Sequence, residues 1–145
     1  REEEEEEEKE RRMTKPLNGV LPPNWKMTRQ GLMLRELNQM SEKEFQDMVI
    51  GAARSLDSEV LIYHTYDSRR SEPGYPDLHL VSARFGISIF RELKTVKGRV
   101  SEPQKKWLQR MSGVGLDAAV WRPEDWASGR IMAEIQGKKW STGNA

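Results

Sequence analysis

Two carboxylates and a lysine in the middle of the chain have the types and spacing of a divalent-cation site. Asp77 ends a Tyr-Pro-Asp tripeptide, and Glu92 and Lys94 are separated by Leu93. Successive strand residues point to opposite faces, so Glu92 and Lys94 would point the same way. With Asp77 from an adjoining strand they would form a cluster of two carboxylates and one ammonium. Neighbouring carboxylates repel unless a cation lies between them, and hard oxygen ligands favour Mg²⁺ or Mn²⁺ over zinc.

The apolar residues around the Glu-x-Lys triplet make it more informative than the triplet alone, which occurs by chance in many charged proteins. The segment 87–96 predicts a strand buried on most of both faces, because it contains the apolar residues Ile87, Ile89, Phe90, Leu93 and Val96. Buried charges are costly unless they are paired or bind an ion. Glu92 and Lys94 could instead be a plain ion pair on a half-exposed face, and Asp77 could be only a turn residue.

A helix with a buried face is predicted before these strands. Ser41 is a plausible N-cap with Glu44 three positions later, which is the capping-box spacing. Apolar residues then recur at helical spacing and define one stripe: Phe45, Met48, Val49, Ala52 and Leu56.

The rest of the organised region predicts an α/β layer fold with the order α-β-β-β-α-β-α. Strands are expected at 60–66, 77–83 and 87–96, with the last two forming a hairpin. Ser101 and Gln104 have the spacing of a second capping box, which begins a helix with Trp107, Leu108 and Met111 on its apolar face. A fourth strand at 117–123 and a final helix at 124–135 follow. The fourth strand can join in parallel through the crossover helix.

Composition and charge exclude several classes of protein. The 145 residues include no Cys and two His, which excludes disulfide scaffolds, thiol nucleophiles and cysteine-based zinc sites. No apolar run approaches the ~20 residues of a membrane span, so a cytoplasmic protein is expected. Residues 1–12 hold eight Glu and four basic residues, which leaves 20 basic and 15 acidic residues in the remainder. The part expected to fold is therefore mildly basic, which suits a polyanionic partner.

Three regions are expected from these patterns. Residues 1–40 are predicted to be an acidic arm and linker that are largely disordered, because a charge block and a Pro- and Gly-rich stretch bury little apolar surface. Residues 41–135 are the predicted folded domain, and 136–145 form a basic polar tail.

Four ordered blocks of the sequence resemble a known family. They are SEKEFQ, HTYDSRRSEPGYPDL, FRELKTVKGRVSEPQ and VWRPEDW, which together extend over 41–126. They resemble the VRR-NUC branch of the PD-(D/E)xK nuclease superfamily, and most closely its small stand-alone members common in phages. The resemblance implies a restriction-endonuclease-like core, in which helices flank a mixed four-stranded sheet. It also implies a divalent-metal-dependent endonuclease that hydrolyses phosphodiester bonds.

The resemblance also implies the site residues. Carried over, the catalytic group is Asp77, Glu92, Lys94, Gln104 and a helix acid, either Glu42 or Glu44. The metal ligands would be Asp77, Glu92, the helix acid and the Leu93 carbonyl, with Mg²⁺ or Mn²⁺ as the cofactor. On a helical wheel Glu42 lies roughly 50° from the centre of the apolar stripe and Glu44 roughly 110° from it, so Glu42 is the better candidate. Gln104 has a competing use, because a Gln at this position can simply bond back to the Ser101 amide.

DNA, and branched or structured DNA in particular, is the expected partner, with no organic cofactor and no membrane. Arg69 and Arg70, which precede the Asp77 motif, and Lys97 and Arg99, which follow Lys94, are the predicted DNA-binding residues. By analogy with small relatives that cut four-way junctions, a homodimer is possible. The alternatives are a nucleic-acid-binding module without catalysis and a structural protein whose Glu92 and Lys94 form an ion pair.

Overall fold

The computed structural model describes residues 36–65 and 72–140, together with Glu4. After a helical segment at 36–39, the elements are α1 (Glu42–Leu56), β1 (Leu61–His64), β2 (Leu78–Ser82), β3 (Ile87–Leu93), α2 (Glu102–Gly113), β4 (Asp117–Trp121), α3 (Pro123–Ser128) and α4 (Arg130–Ile135). Ser41 begins α1 by accepting a hydrogen bond from the Glu44 amide, as its N-cap spacing predicts. Among the described helices, none is long and apolar enough to cross a membrane.

The strands form one mixed sheet in the order β1-β2-β3-β4. β1, β2 and β3 are antiparallel neighbours, and β4 pairs with β3 in parallel after the α2 crossover. Gly86, with a φ of 64°, closes the turn between β2 and β3, where a left-handed backbone favours glycine. The predicted restriction-endonuclease-like α/β fold, with a mixed four-stranded sheet flanked by helices, is confirmed.

The two faces of the sheet are covered differently. The buried core lies between one sheet face and the helices α1, α3 and α4, and it includes Phe45, Met48, Leu80, Ile89, Leu93, Trp121, Ile131 and Ile135. Residues of β3 alternate between faces, so Phe90 and Glu92 point away from this core and towards α2. α2 covers the other face of the sheet less completely, since Met111 is its only buried residue. A charged group on the α2 side of β3 therefore lies beside a lightly covered surface.

Several predicted boundaries were wrong: β4, for example, ends at Trp121, and Pro123, predicted as the last strand residue, begins α3. β3 ends at Leu93, and Val96 is 44% exposed because it lies in a turn closed by a hydrogen bond from the Gly98 amide to the Thr95 carbonyl. The predicted final helix is two short helices, because Gly129 adopts a left-handed conformation with a φ of 91° and ends α3. β1 begins one residue later than predicted and ends at His64, and residue 66 of the predicted strand lies outside the described residues.

The core extends slightly before the predicted domain boundary. Leu37 and Met40 are 1% and 8% exposed and belong to the core cluster, so side chains on the N-terminal side of residue 41 contribute to the fold. Apart from Glu4, the arm before residue 36 and the tail after residue 140 lie outside the described residues, and the predicted division into arm, domain and tail stays a prediction.

Candidate metal centre

The β2–β3 hairpin positions Asp77 beside Glu92. Leu78 pairs with Arg91 in the hairpin, so Asp77, which immediately precedes β2, lies next to the residue that follows Arg91. Asp77 Oδ2 accepts a hydrogen bond of 2.8 Å from the Leu93 amide. This bond ties the Asp77 carboxylate to the end of β3 and holds it close to Glu92.

A third carboxylate reaches the same place from the first turn of α1. One carboxylate oxygen from each of Glu42, Asp77 and Glu92 lies within 4.8 Å of the other two. Glu42 is exposed, Asp77 is half-buried and Glu92 is buried, so the cluster leads from the interior to the surface. Glu44 is exposed and does not belong to this group. Of the two candidate helix acids, the structure thus brings only Glu42 to the other two carboxylates.

Burial and mutual repulsion make this cluster unfavourable when every carboxylate is charged. Burial, and then the neighbouring Asp77 carboxylate, raise the pKa of Glu92 from its usual 4.5 to about 8, while the Lys94 ammonium acts in the opposite direction. Burial, and then Asp77, also raise the pKa of Glu42. The Lys94 ammonium therefore does not neutralise the cluster.

Lys94 and Gln104 both approach a single oxygen of Glu92. Gln104 Nε2 donates a hydrogen bond of 2.8 Å to Glu92 Oε1, and Lys94 Nζ lies 3.6 Å from the same atom. The other oxygen, Glu92 Oε2, is buried and has no hydrogen-bond partner among the described residues. Buried carboxylate oxygens are normally satisfied by a donor or by a cation. A divalent ion bound by the three carboxylates would satisfy this one, so the residues present fit such an ion.

The Gln104 side chain makes two contacts, one within the capping box of α2 and one to Glu92. Its side-chain oxygen accepts a hydrogen bond of 2.9 Å from the Ser101 amide, while its side-chain nitrogen donates to Glu92. The Ser101 hydroxyl in turn accepts from the Gln104 amide, which completes the capping box of α2. One amide side chain thus begins a helix and orients a carboxylate.

A cavity of about 740 Å³ surrounds these side chains. Besides the three carboxylates, Lys94 and Gln104, its lining includes Gln46 from α1 and His64 from the end of β1. Gln46 Nε2 lies 3.4 Å from His64 Nδ1, so α1 and β1 meet in a polar contact at the wall of the cavity. The cavity is open enough to admit a charged group of a larger ligand.

The comparison with protein families agrees with this geometry. The family model described as the VRR-NUC domain matches residues 3–124 of the 145-residue chain. The chain belongs to the VRR-NUC domain family. This confirms the predicted family, a branch of the PD-(D/E)xK superfamily, and implies a nuclease, a hydrolase that acts on DNA. Comparison with curated proteins and with solved structures gives no match.

The two predicted DNA-binding residues of this VRR-NUC protein that the structure describes do not line the cavity. Arg69 and Arg70 lie outside the described residues. Lys97 and Arg99 are exposed on the segment that follows Lys94, but they do not line the cavity. Their role in binding DNA stays a prediction, as does that of the Leu93 carbonyl in binding metal. The Leu93 side chain is buried in the core.

Sequence reasoning missed two contributors to the VRR-NUC site. Gln46 lies one helical turn after Glu42, and this spacing of four residues on an α-helix was the available signal. Gly74, with a φ of 93°, lets the loop before Asp77 approach α2 so closely that a Cβ would lie 2.4 Å from the Pro103 carbonyl carbon. Trp107 Nε1 also donates to the Pro73 carbonyl at 3.1 Å. These contacts fix the loop that carries Asp77 against the helix that carries Gln104.

Proposed function

We propose that this VRR-NUC protein is a divalent-metal-dependent endonuclease that hydrolyses phosphodiester bonds in structured or branched DNA. The observation that carries the proposal is Glu92 Oε2, a buried oxygen without a hydrogen-bond partner among the described residues, beside the carboxylates of Asp77 and Glu42. A structural ion pair between Glu92 and Lys94 does not account for it, because Lys94 contacts the other oxygen at 3.6 Å.

In this proposal Asp77, Glu92, Glu42 and the Leu93 carbonyl would hold Mg²⁺ or Mn²⁺. A bound divalent ion would lower the pKa of a coordinated water and neutralise charge on the scissile phosphate. The chain supplies fixed ligands, because Asp77 is held by the Leu93 amide and Glu92 by Gln104. Ligand side chains that are already held in position bind an ion more tightly than mobile side chains, because they lose less conformational freedom on binding.

Lys94 is the proposed cationic partner of the reaction. Its side chain is only 12% exposed and its ammonium lies beside Glu92, so it points into the cavity rather than into bulk solvent. There it would orient the attacking water or stabilise negative charge that develops on the phosphate. The exposed Lys97 and Arg99 on the following segment would contact DNA phosphates outside the cavity. The preference for branched DNA and a homodimeric assembly belong to the proposal by analogy with small relatives.

The test is cleavage of a panel of end-labelled DNAs: four-way junctions, flaps, nicked duplexes and linear duplexes. Each is incubated with Mg²⁺, Mn²⁺ or EDTA and with wild type, Lys94→Ala or the matched control Lys105→Ala. Lys105 lies on the surface of α2 and pairs with Glu102, away from the cavity. We expect metal-dependent cleavage by wild type and Lys105→Ala, and a loss of at least about 100-fold in Lys94→Ala.

Two results would reject this function. If wild type cuts none of the DNAs under any metal condition, the protein is not an endonuclease for these substrates. If it binds DNA equally well in EDTA and still cuts nothing, it acts as a nucleic-acid-binding module. Cleavage that persists unchanged in Lys94→Ala would leave a nuclease but remove Lys94 from its mechanism.

A further inference from the structure

The segment that carries Lys94 leaves the sheet immediately after β3. The Lys94 amide donates to the Trp121 carbonyl of β4 at 3.1 Å, which ties the start of this stretch to the sheet. The chain then makes the turn at 95–98. A Cβ built on Gly98 would lie 3.4 Å from Lys94 Cδ, so this turn packs against the stem of the Lys94 side chain. The position of the turn therefore affects where the Lys94 ammonium can lie.

Arg122 holds both ends of this turn. Its Nη1 donates to the Thr95 carbonyl at 2.8 Å and to the Gly98 carbonyl at 2.7 Å. Arg122 is half-buried and makes no ion pair with any of the described residues. Both hydrogen bonds come from Nη1 and go to backbone carbonyls rather than to a carboxylate. Arg122 therefore holds one short segment in place and forms no ion pair among the described residues.

Arg122 is itself anchored where α3 begins. Its amide donates to Asp125 Oδ2 at 2.7 Å, and Asp125 Oδ1 receives a hydrogen bond of 3.2 Å from Arg130 Nη1 on α4. Pro123, the first residue of α3, fixes the chain direction just after Arg122. A chain of contacts thus leads from α4 through Asp125 and Arg122 to the turn after Lys94.

We propose that Arg122 is a positioning residue for Lys94: by holding the turn at 95–98 it keeps the Lys94 ammonium beside Glu92. This inference rests on the proposed nuclease function for its effect on turnover. It also assigns a role to Arg122, the residue between β4 and α3, to which the sequence patterns give none. Arg122 does not line the cavity, so the effect that we assign to it passes through the segment that it holds.

The first arm of the test measures turnover in Arg122→Gln, with Arg84→Gln as the matched control. Arg84 also donates to a backbone carbonyl, that of Leu56 at 2.8 Å, but it lies away from the cavity. We expect kcat to fall about 10- to 100-fold in Arg122→Gln, as misplacement of a reacting group by about 1 Å can cause. KM and the Mn²⁺ concentration for half-maximal activity should change less than about twofold, because the carboxylates are held by other bonds.

A double-mutant cycle separates positioning from a general structural effect. In a Lys94→Ala background, Arg122→Gln should lower kcat by less than about twofold, since the group that it positions is already gone. An undiminished fall in that background overturns the proposal, as does a fall no larger than that of the Arg84→Gln control. If Arg122→Gln does not fold, judged by thermal unfolding, Arg122→Met replaces it: a methionine keeps an unbranched apolar stem but has no donor for either carbonyl.

The second arm does not require cleavage. In a ¹H–¹³C spectrum of the metal-free protein, the Lys94 side-chain methylene signals, assigned with Lys94→Arg, should differ from those of exposed lysines. In Arg122→Gln they should move to the exposed-lysine positions, and in Arg84→Gln they should not. Unmoved signals in Arg122→Gln overturn the proposal. If wild type cuts no DNA, the proposed function fails, while this spectrum still decides whether Arg122 places Lys94.

Discussion

Replacing Glu92 by Gln should make the metal-free protein more stable at neutral pH, although Glu92 is buried and hydrogen-bonded. The pKa of Glu92 is raised from 4.5 to about 8 by burial and then by Asp77, so the folded protein keeps a proton that the unfolded chain has lost. Stability from this proton is fully present below pH 4.5 and is lost as the pH rises through about 8. Over this range the wild type should therefore become less stable as the pH increases.

The size of the effect follows from the same pKa. Each pH unit above the ordinary pKa of Glu92 lowers the free energy of unfolding of the wild type by about 1.4 kcal/mol. At about pH 7 this destabilisation is at most ~3 kcal/mol. In Glu92→Gln the new amide keeps an oxygen to accept from Gln104 and gains an NH₂ group that can face Asp77, so few contacts are lost. Allowing about 1 kcal/mol for imperfect geometry, we expect Glu92→Gln to stabilise the metal-free protein by about 1–2 kcal/mol at neutral pH.

The assay is urea unfolding in EDTA at several values between about pH 5 and about pH 8. The two proteins should have similar stability at the acidic end and diverge as the pH rises. Glu102→Gln is the control, since Glu102 is exposed and its ion-pair partner among the described residues is Lys105. Adding Mn²⁺ should raise the stability of wild type more than that of Glu92→Gln, because a ligand that binds only the folded state stabilises it. A wild type that is more stable than Glu92→Gln at about pH 8 in EDTA would refute the reasoning.

Three further changes have defined expected outcomes. Gly74→Ala should lower the free energy of unfolding by at least about 2 kcal/mol and reduce cleavage, because its Cβ would meet the Pro103 backbone at a φ of 93°; unchanged urea unfolding would contradict this. Lys97→Ala and Arg99→Ala should each weaken DNA binding and reduce the slope of log affinity against log salt by about 1; an unchanged slope in fluorescence anisotropy would remove these residues from the DNA interface. Mn²⁺ binding near neutral pH should displace the proton on Glu92, so the calorimetric heat should vary with the ionisation enthalpy of the buffer; identical heats in PIPES and Tris would contradict the raised pKa.

Most of what the sequence predicted about the positions of the carboxylates came from local patterns of residues. Glu92 was predictable as a buried charge because the apolar residues around it predict a core strand, and the predicted hairpin placed Asp77 on the adjoining strand. The helical wheel favoured Glu42 over Glu44, and only Glu42 lies with the other two carboxylates. These arguments used the period of one element or one short connection, which sequence specifies well, whereas a helix acid was sought only because the family resemblance implied one.

Other features depended on packing between distant elements. Val96 is apolar in type, but nothing in its immediate neighbours distinguishes the end of a strand from a turn held by Arg122 from beyond β4. The second hydrogen bond of Gln104 could not be derived from its capping position either, because it requires α2 and β3 to lie at one particular separation. The requirement for glycine at position 74 could not be predicted from local sequence either, because it arises only where the loop contacts the Pro103 backbone.

The shared use of the Gln104 amide links the integrity of α2 to the preparation of the ligand set. Fraying of the first turn of α2 would break the bond to the Ser101 amide and release the side chain that restrains Glu92. Segments that open together exchange their amide hydrogens with a common free energy. Slow hydrogen exchange at the start of this helix would then report how long the buried carboxylate stays aimed at its neighbours, and a bound ion should slow that exchange without touching the helix.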